Sequence, residues 1–276
     1  MKMLFVTDLH GNMVKYRHVF EAALKHGAAA VVNGGDMLPL GGDLPGSQKE
    51  FVEGFLPGHF AGYSEAGIVC LGLLGNDDLK IHDAVFDRVC RKHKNIYNLA
   101  QRRVKINGFE FIGMNWVTDY PFRLKDRCRR DGPGYVFQDQ FGSGLLSTPG
   151  GFKELKNWRA YAEGLPDMRQ ELAKLPMPPN PAKAVYVIHM PPAGLGLDVI
   201  SSGEQVGSAA VRRFIGKNVP LLTLHGRIHE SPDMSGVWKA KAGNTVCVQP
   251  GQSKTALTYV LLDLNTMAME RFEEPL

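Results

Sequence analysis

The chain has 276 residues, 44% of them hydrophobic, and a formal net charge of +4, enough for one large or two small cored domains and too near neutrality for overall charge to indicate nucleic acid. No apolar run approaches the roughly 20 residues that span a bilayer, and the amino terminus enters a predicted strand without a signal-peptide pattern. Cys70, Cys90, Cys128 and Cys247 form no C-x-x-C pair, which argues against a disulfide framework or a zinc knuckle and leads us to expect a reduced, cytoplasmic protein.

Met3 to Val6 is an apolar run that reads as a buried strand and ends in Thr7-Asp8-Leu9-His10-Gly11-Asn12. In extended backbone Asp8 and His10, two apart, leave one face of the strand together. Met13, Tyr16, Phe20, Ala23 and Leu24 then recur at helical spacing, and Gly27 stands where a left-handed cap would stop the helix. A second apolar run, Ala28 to Val32, stops at Asn33-Gly34-Gly35-Asp36, and after a predicted helix over Gln48 to Phe55 a third strand, Gly67 to Leu74, closes with Gly75-Asn76-Asp77-Asp78. Leu79 to His93 suits a helix.

The period then changes. Arg103 to Asn115 alternates around Asn107-Gly108, a two-residue hairpin signal, so the sheet is not purely parallel. From Trp116 to Lys183 glycine and proline are frequent, Leu155 to Leu175 looks helical and Pro176 to Pro181 resembles a linker, so we take about 116–183 as an insertion or lid within a single domain spanning 1–276. Its run Arg123 to Arg130 holds five basic residues among eight and follows Trp116, Tyr120 and Phe122. That combination suits either a lid bringing cations and aromatic faces to a phosphorylated, nucleotide-like substrate or a solvated basic face. Strands resume at Ala184 to Ile188, ending in His189, and at Leu221 to Leu224, ending in His225-Gly226-Arg227-Ile228-His229, with a helix over Ser208 to Ile215 between them. Val237 to Lys241, Thr245 to Val248 and Leu257 to Leu264 complete the predicted strands.

Five apolar strands thus end in Asp8/His10, Asp36, Asn76, His189 and His225/His229. Imidazole, carboxylate and amide donors suit a first-row divalent cation: Mn²⁺ is favoured, with Fe²⁺ or Zn²⁺ as alternatives. Oxygen and nitrogen donors also leave such an ion a good Lewis acid toward a phosphoryl oxygen. His18, His26, His59, His82 and His93, on predicted helix faces or loops, read as surface or packing residues.

The order D-x-H, G-D, G-N, strand-end His and a near match to G-H-x-H resembles the calcineurin-like metallophosphoesterase superfamily, across nearly the whole chain apart from the insertion. The resemblance implies a four-layer α/β/β/α sandwich of two mixed β-sheets with one or two divalent ions at one rim. Carried over by position, Asp8, His10 and His229 would hold the first ion, Asp36 would bridge, and Asn76 and His189 would hold the second.

Two positions depart from the pattern. Arg227 stands where the family has the first His of G-H-x-H, and a guanidinium has no lone pair to give a cation. The second site then survives with fewer ligands, or Arg227 takes over part of its work by binding phosphate, or turnover is lost while binding persists. Asp77 stands where many relatives carry a His that assists the leaving group; it is a candidate acid or a capping residue, and His225 is a candidate acid or an orienting residue. Asn12 and Asn115, with Arg227, are candidate substrate contacts.

The implied activity is hydrolysis of a phosphodiester, favoured over a phosphomonoester, by metal-held hydroxide, on a phosphorylated small-molecule or nucleotide-like substrate. The rival readings are a metal- or phosphate-binding scaffold acting through partners, and a nucleic-acid module using the basic run.

Overall fold

A computed structural model describes residues 1–276. The first half contains β1 (Lys2–Val6), α1 (Met13–Lys25), β2 (Ala30–Asn33), α2 (Leu44–Glu50), α3 (Leu56–Glu65), β3 (Val69–Gly72), α4 (Asp83–Cys90) and β4 (Ile96–Asn98). There follow β5 (Arg103–Ile106), β6 (Phe109–Met114), β7 (Val117–Thr118), β8 (Cys128–Arg129), β9 (Gly144–Thr148), β10 (Gly151–Leu155), α5 (Trp158–Glu163) and α6 (Met168–Ala173). The chain closes with β11 (Ala184–Ile188), α7 (Ala209–Asn218), β12 (Leu222–Leu224), α8 (Ser231–Ser235), β13 (Lys239–Ala242), β14 (Thr245–Val248), β15 (Ala256–Asp263) and β16 (Met269–Pro275).

Two six-stranded mixed sheets result, in the orders β16-β15-β1-β2-β3-β4 and β13-β14-β12-β11-β6-β5. In the first, β1 to β4 run parallel and β15 is antiparallel to β1. In the second, β6, β11, β12 and β14 are parallel and the edges β5 and β13 are antiparallel. Strand alternation assigns each side chain to a layer. Met3 and Phe5 of β1 meet Val185 and Val187 of β11 between the sheets, while Leu4 and Val6 face Tyr16, Val19 and Ala23 of α1. On the far side of the second sheet, Ile112, Tyr186 and Ile188 are covered by Trp158, Met168, Leu172, Val211 and Ile215. The fold is therefore the expected four-layer α/β/β/α sandwich, and it places the carboxyl ends of the parallel strands of both sheets at one rim.

Several local expectations change. The helix expected over Gln48 to Phe55 begins earlier, at Leu44 behind the Asp43 cap, and passes through a π turn over Phe51–Phe55 into α3, with Pro57 accommodated in its first turn. The helix expected over Leu155 to Leu175 is instead the end of β10 followed by α5 and α6; Asp167 caps α6 with a full capping box, after Gly164 and Pro166 have broken the helical run. A strand after the Asn265-Thr266 turn, β16, lies beyond the last one expected. In α1, Tyr16 and Ala23 are buried, but Met13 and Leu24 point to solvent.

Candidate metal centre and cleft

At the rim, β1 ends at Val6, and the next turns are not extended. Asp8, His10 and Asp36 all have left-handed backbone, with φ of 57°, 44° and 48°, and Arg227 joins them at 70°. Such conformations are costly for residues other than glycine and are held here by surrounding bonds. The Asp8 N–H donates to Gly35 O and the His10 N–H to Asp36 O, each at 2.9 Å. Asp8 and His10 therefore converge because two loops are laced together, and not, as extended geometry implied, because they share a strand face. Gly226 closes the arrangement: a Cβ there would overlap Thr7 Oγ1 and crowd the Asp8 carboxylate.

The ligand atoms of Asp8, His10, Asp36 and His229 lie within 4.8 Å of one another. His10 Nε2 and His229 Nε2 face each other at 3.1 Å, and His229 Nε2 is 3.6 Å from Asp8 Oδ1. A second group adjoins the first through Asp36. His189 Nε2 lies 3.2 Å from Asp36 Oδ2 and 3.1 Å from Asn76 Oδ1. Its Nδ1–H donates to Gly34 O at 2.8 Å, so in the neutral ring the lone pair is on the nitrogen that faces the carboxylates. Buried carboxylates and imidazole nitrogens turned toward one another are a donor set that fits a divalent cation.

The electrostatics agree. Burial works against the charged imidazolium of His189 and His229, but Asp36 beside the first and Asp8 beside the second more than offset it, raising both to about 9. Burial also opposes ionisation of Asp8 and Asp36, and the imidazoles of His229 and His189 respectively overcome that, holding both carboxyls below the usual range. In the metal-free chain the imidazoles thus occupy as cations the place that a metal's charge would fill.

No protein-family model matches the sequence, and neither does any curated protein. Solved structures do match over nearly their full length. TT1561 of Thermus thermophilus is 17% identical, with 99% of this chain and 98% of that one covered, at a TM-score of 0.60. A dimetal phosphatase from Danio rerio is 9% identical, with 100% and 96% covered, at 0.53. The chain has the calcineurin-like metallophosphoesterase fold.

On this metallophosphoesterase fold the centre opens into a cleft of about 780 Å³. Asp36, Asn76 and Asp77 form its floor, and Tyr120, Phe122 and Phe141 one wall. The Arg227 N–H donates to both oxygens of Asp8 at 3.1 Å. Its side chain leaves the cluster, donating to Thr118 O at 3.0 Å and lying over the Tyr120 ring at 4.5 Å. Asp77 is half-buried. Its N–H donates to Asp36 Oδ1 at 2.8 Å and its carboxylate accepts from Asn76 Nδ2 at 3.0 Å, while burial and then the Asp36 charge push it up to about 7.

Other candidates lie elsewhere. Asn12 is the N-cap of α1, its Oδ1 accepting from the N–H groups of Val14 and Lys15. Asn115 is buried, accepting from Gln101 Nε2 and donating to Leu74 O, with no face toward a substrate. His225 is wholly buried. Burial lowers its pKa to about 4, its Nδ1–H donates to Ile188 O and Met190 O, and Nε2 accepts from the Thr223 hydroxyl. It pins the backbone on either side of His189 and cannot serve as an acid.

The basic run is internal as well. Lys125 pairs with Asp119 at 2.8 Å, Arg127 with Asp83 at 2.5 Å, and Arg129 with Glu171 at 2.9 Å while lying over Trp116. Only Arg123 and Arg130 reach the surface, and Arg130 is occupied by the carbonyls of Ala162, Glu163 and Leu165. The run buttresses the outer layer and offers no cationic face to a phosphate.

Asp78, read from the sequence as a capping or supporting residue, acts as one, and two further supporting residues, Gln249 and Gln252, escaped sequence reading. Asp78 accepts N–H bonds from Met37, Leu38 and Gly75, tying the loop after β2 to the loop after β3. Gln249 Nε2 donates to Gly226 O and Ile228 O. Gln252 receives the neighbouring loop by donating to His229 O from its backbone and to Thr7 O from its side chain. The signal was present: Gln249-Pro250-Gly251-Gln252 follows β14, one more polar strand end at the same rim.

Proposed function

We propose that the chain is a metal-dependent phosphoesterase, with phosphodiesters favoured over phosphomonoesters. The observation that carries this reading is the convergence of Asp8, His10, Asp36 and His229, with Asn76 and His189 adjoining through Asp36. Asp8, His10 and His229 would hold one divalent ion, Asn76 and His189 would hold a second, and Asp36 would serve both. When bound, the ions supply Lewis acidity and an activated water at neutral pH.

The chain's own residues do the rest. Arg227, held by Thr118 O and the Tyr120 face at the cleft wall, places a permanent positive charge where an oxygen of the substrate phosphate would lie. Asn76 donates to a phosphate oxygen once its amide is released from Asp77. Asp77, at the floor of the cleft, supplies the proton for the leaving group. A diester suits a centre whose second ligand set has one imidazole fewer than the family pattern, because a more weakly held second ion gives less cationic compensation and a diester carries one negative charge where a monoester carries two.

Metal analysis of the purified chain, together with hydrolysis of a chromogenic diester and monoester in Mn²⁺, tests the reading. One or two ions per chain and faster diester turnover are expected. Asp36→Asn should lower kcat/KM on the order of 10³-fold, because it removes the group shared by both ions. Arg227→His should raise occupancy of the second position. Absence of turnover on both esters with Mn²⁺ would instead favour a scaffold that binds metal or phosphate.

A further inference from the structure

Charge and polarity are ordered along the cleft. Asp36 and Asn76 are buried at its inner end, and the half-buried Arg227 is the only lysine or arginine among the lining residues. At the mouth, Phe122 and Phe141 meet edge to face with ring centroids 5.4 Å apart, yet they remain 61% and 69% exposed. Glu204 and Glu230 line the same cleft, where Glu204 Oε2 accepts only from the Ser202 hydroxyl and Glu230 Oε1 only from the Ser201 N–H. Neither carboxylate has a cationic partner, unlike Asp119, another lining residue of the cleft, which is neutralised by Lys125.

Aromatic faces alone would accept any apolar group, and exposed carboxylates alone would merely be solvated. Together, across a cleft whose inner end draws the phosphate, they suit a positive charge. An ammonium is attracted by ring faces and by nearby carboxylates, whereas a second phosphate there would be repelled by both glutamates.

Resting on the phosphoesterase reading, we propose that the substrate is a phosphoester whose organic group carries an amine or quaternary ammonium, bound with the phosphate at Arg227 and the cation between Phe122, Phe141, Glu204 and Glu230. The cleft thereby discriminates against polyphosphates and oligonucleotides.

The test compares p-nitrophenyl phosphorylcholine with its neohexyl isostere, in which carbon replaces the charged nitrogen, on the Mn²⁺-loaded chain. The cationic diester should have a kcat/KM about tenfold higher, expressed mainly in KM. The ratio should fall to about one in the double variant Glu204→Gln, Glu230→Gln, whose side chains lie at the surface where folding is not at stake. Turnover of both diesters at equal kcat/KM, or a preference that survives the double variant, would overturn the proposal while leaving the hydrolase reading in place. If neither is turned over, calorimetry on the same Mn²⁺-loaded chain reads affinity directly. Tighter binding of the cationic probe then supports the proposal against a failed hydrolase reading, and equal or absent binding overturns both.

Discussion

Asp77 shows how one position acquires a role from its neighbours. A surface aspartate is ionised at neutral pH, but here burial and the Asp36 charge favour the protonated carboxyl. On the reading proposed above, its place in the cleft lining lets it act as a proton source for a departing alkoxide. For Asp77→Asn we expect a loss of about 10²-fold in kcat with an alkyl leaving group and a much smaller loss with p-nitrophenolate, which departs without protonation. Equal losses on both would assign Asp77 to holding Asn76 and Asp36 in place instead. Arg227 is the complementary case. Its backbone turns at positive φ to donate to Asp8, while its side chain departs toward Thr118 and Tyr120.

Among the elements, the loop from Gly226 to His229 matters most, because it carries both Arg227 and one of the clustered imidazoles. It is held from behind by Gln249, which is fully buried and bonds Gly226 O at 3.2 Å, Ile228 O at 2.5 Å and the Gly251 N–H at 2.6 Å. Gln249→Ala removes one of two donors from Gly226 O and from Ile228 O, which keep the N–H groups of Ile228 and Ser231, and leaves the Gly251 N–H without its acceptor, at a cost of about 1–3 kcal/mol. Metal affinity should fall by about 10- to 100-fold, since supporting bonds fix the orientation of the ligands. A urea midpoint and a metal titration on the same variant separate the two effects. Unchanged metal affinity in a destabilised variant would mean that the loop keeps its shape without this residue. The layer containing β7 to β10, α5 and α6 has a different character from the lid expected of it. Tyr120, Trp158, Met168 and Leu172 pack into the core of the second sheet, and its buried cations are paired internally.

For the molecule as a whole, buried histidines set opposite limbs of a stability profile. Burial lowers His225 and His59 to about 4, His59 lying among Tyr16, Phe55 and Tyr63. Unfolded histidine titrates near 6.5. Below that value the unfolded chain takes up protons that the folded chain refuses, so stability is full above about pH 6.5 and is lost as pH falls toward 4. For His225 alone the loss is about 3 kcal/mol. His189 and His229 behave oppositely in the metal-free chain. Raised to about 9, they contribute stability that is full below pH 6.5 and is lost as pH rises through 9. Urea midpoints from pH 4 to 9 should therefore decline on both sides in chelator and only on the acid side with Mn²⁺. His59→Phe should flatten the acid limb. A flat profile across pH 4 to 6.5 would contradict the burial of these imidazoles as neutral groups.

The donors were visible before the fold was, because a polar residue closing an apolar run is a local signal: Asp8, Asp36, Asn76, His189 and His229 each announce themselves within a few residues of a strand end. The layer order was legible only through the family resemblance that those strand ends carry. What local sequence could not reveal was which way a side chain turns once the strand stops, or what meets it there. Asp8 and His10 converge through left-handed backbone held by the loop that follows β2. Arg127 and Arg129, indistinguishable in sequence from a phosphate-binding run, are consumed by Asp83 and Glu171, 44 and 42 positions away. His225, four residues from His229, faces the opposite way into backbone carbonyls. Charge and hydrogen-bonding capacity belong to the residue, but whether they are spent inside the fold or left facing the cleft depends on partners that only folding brings within about 3 Å.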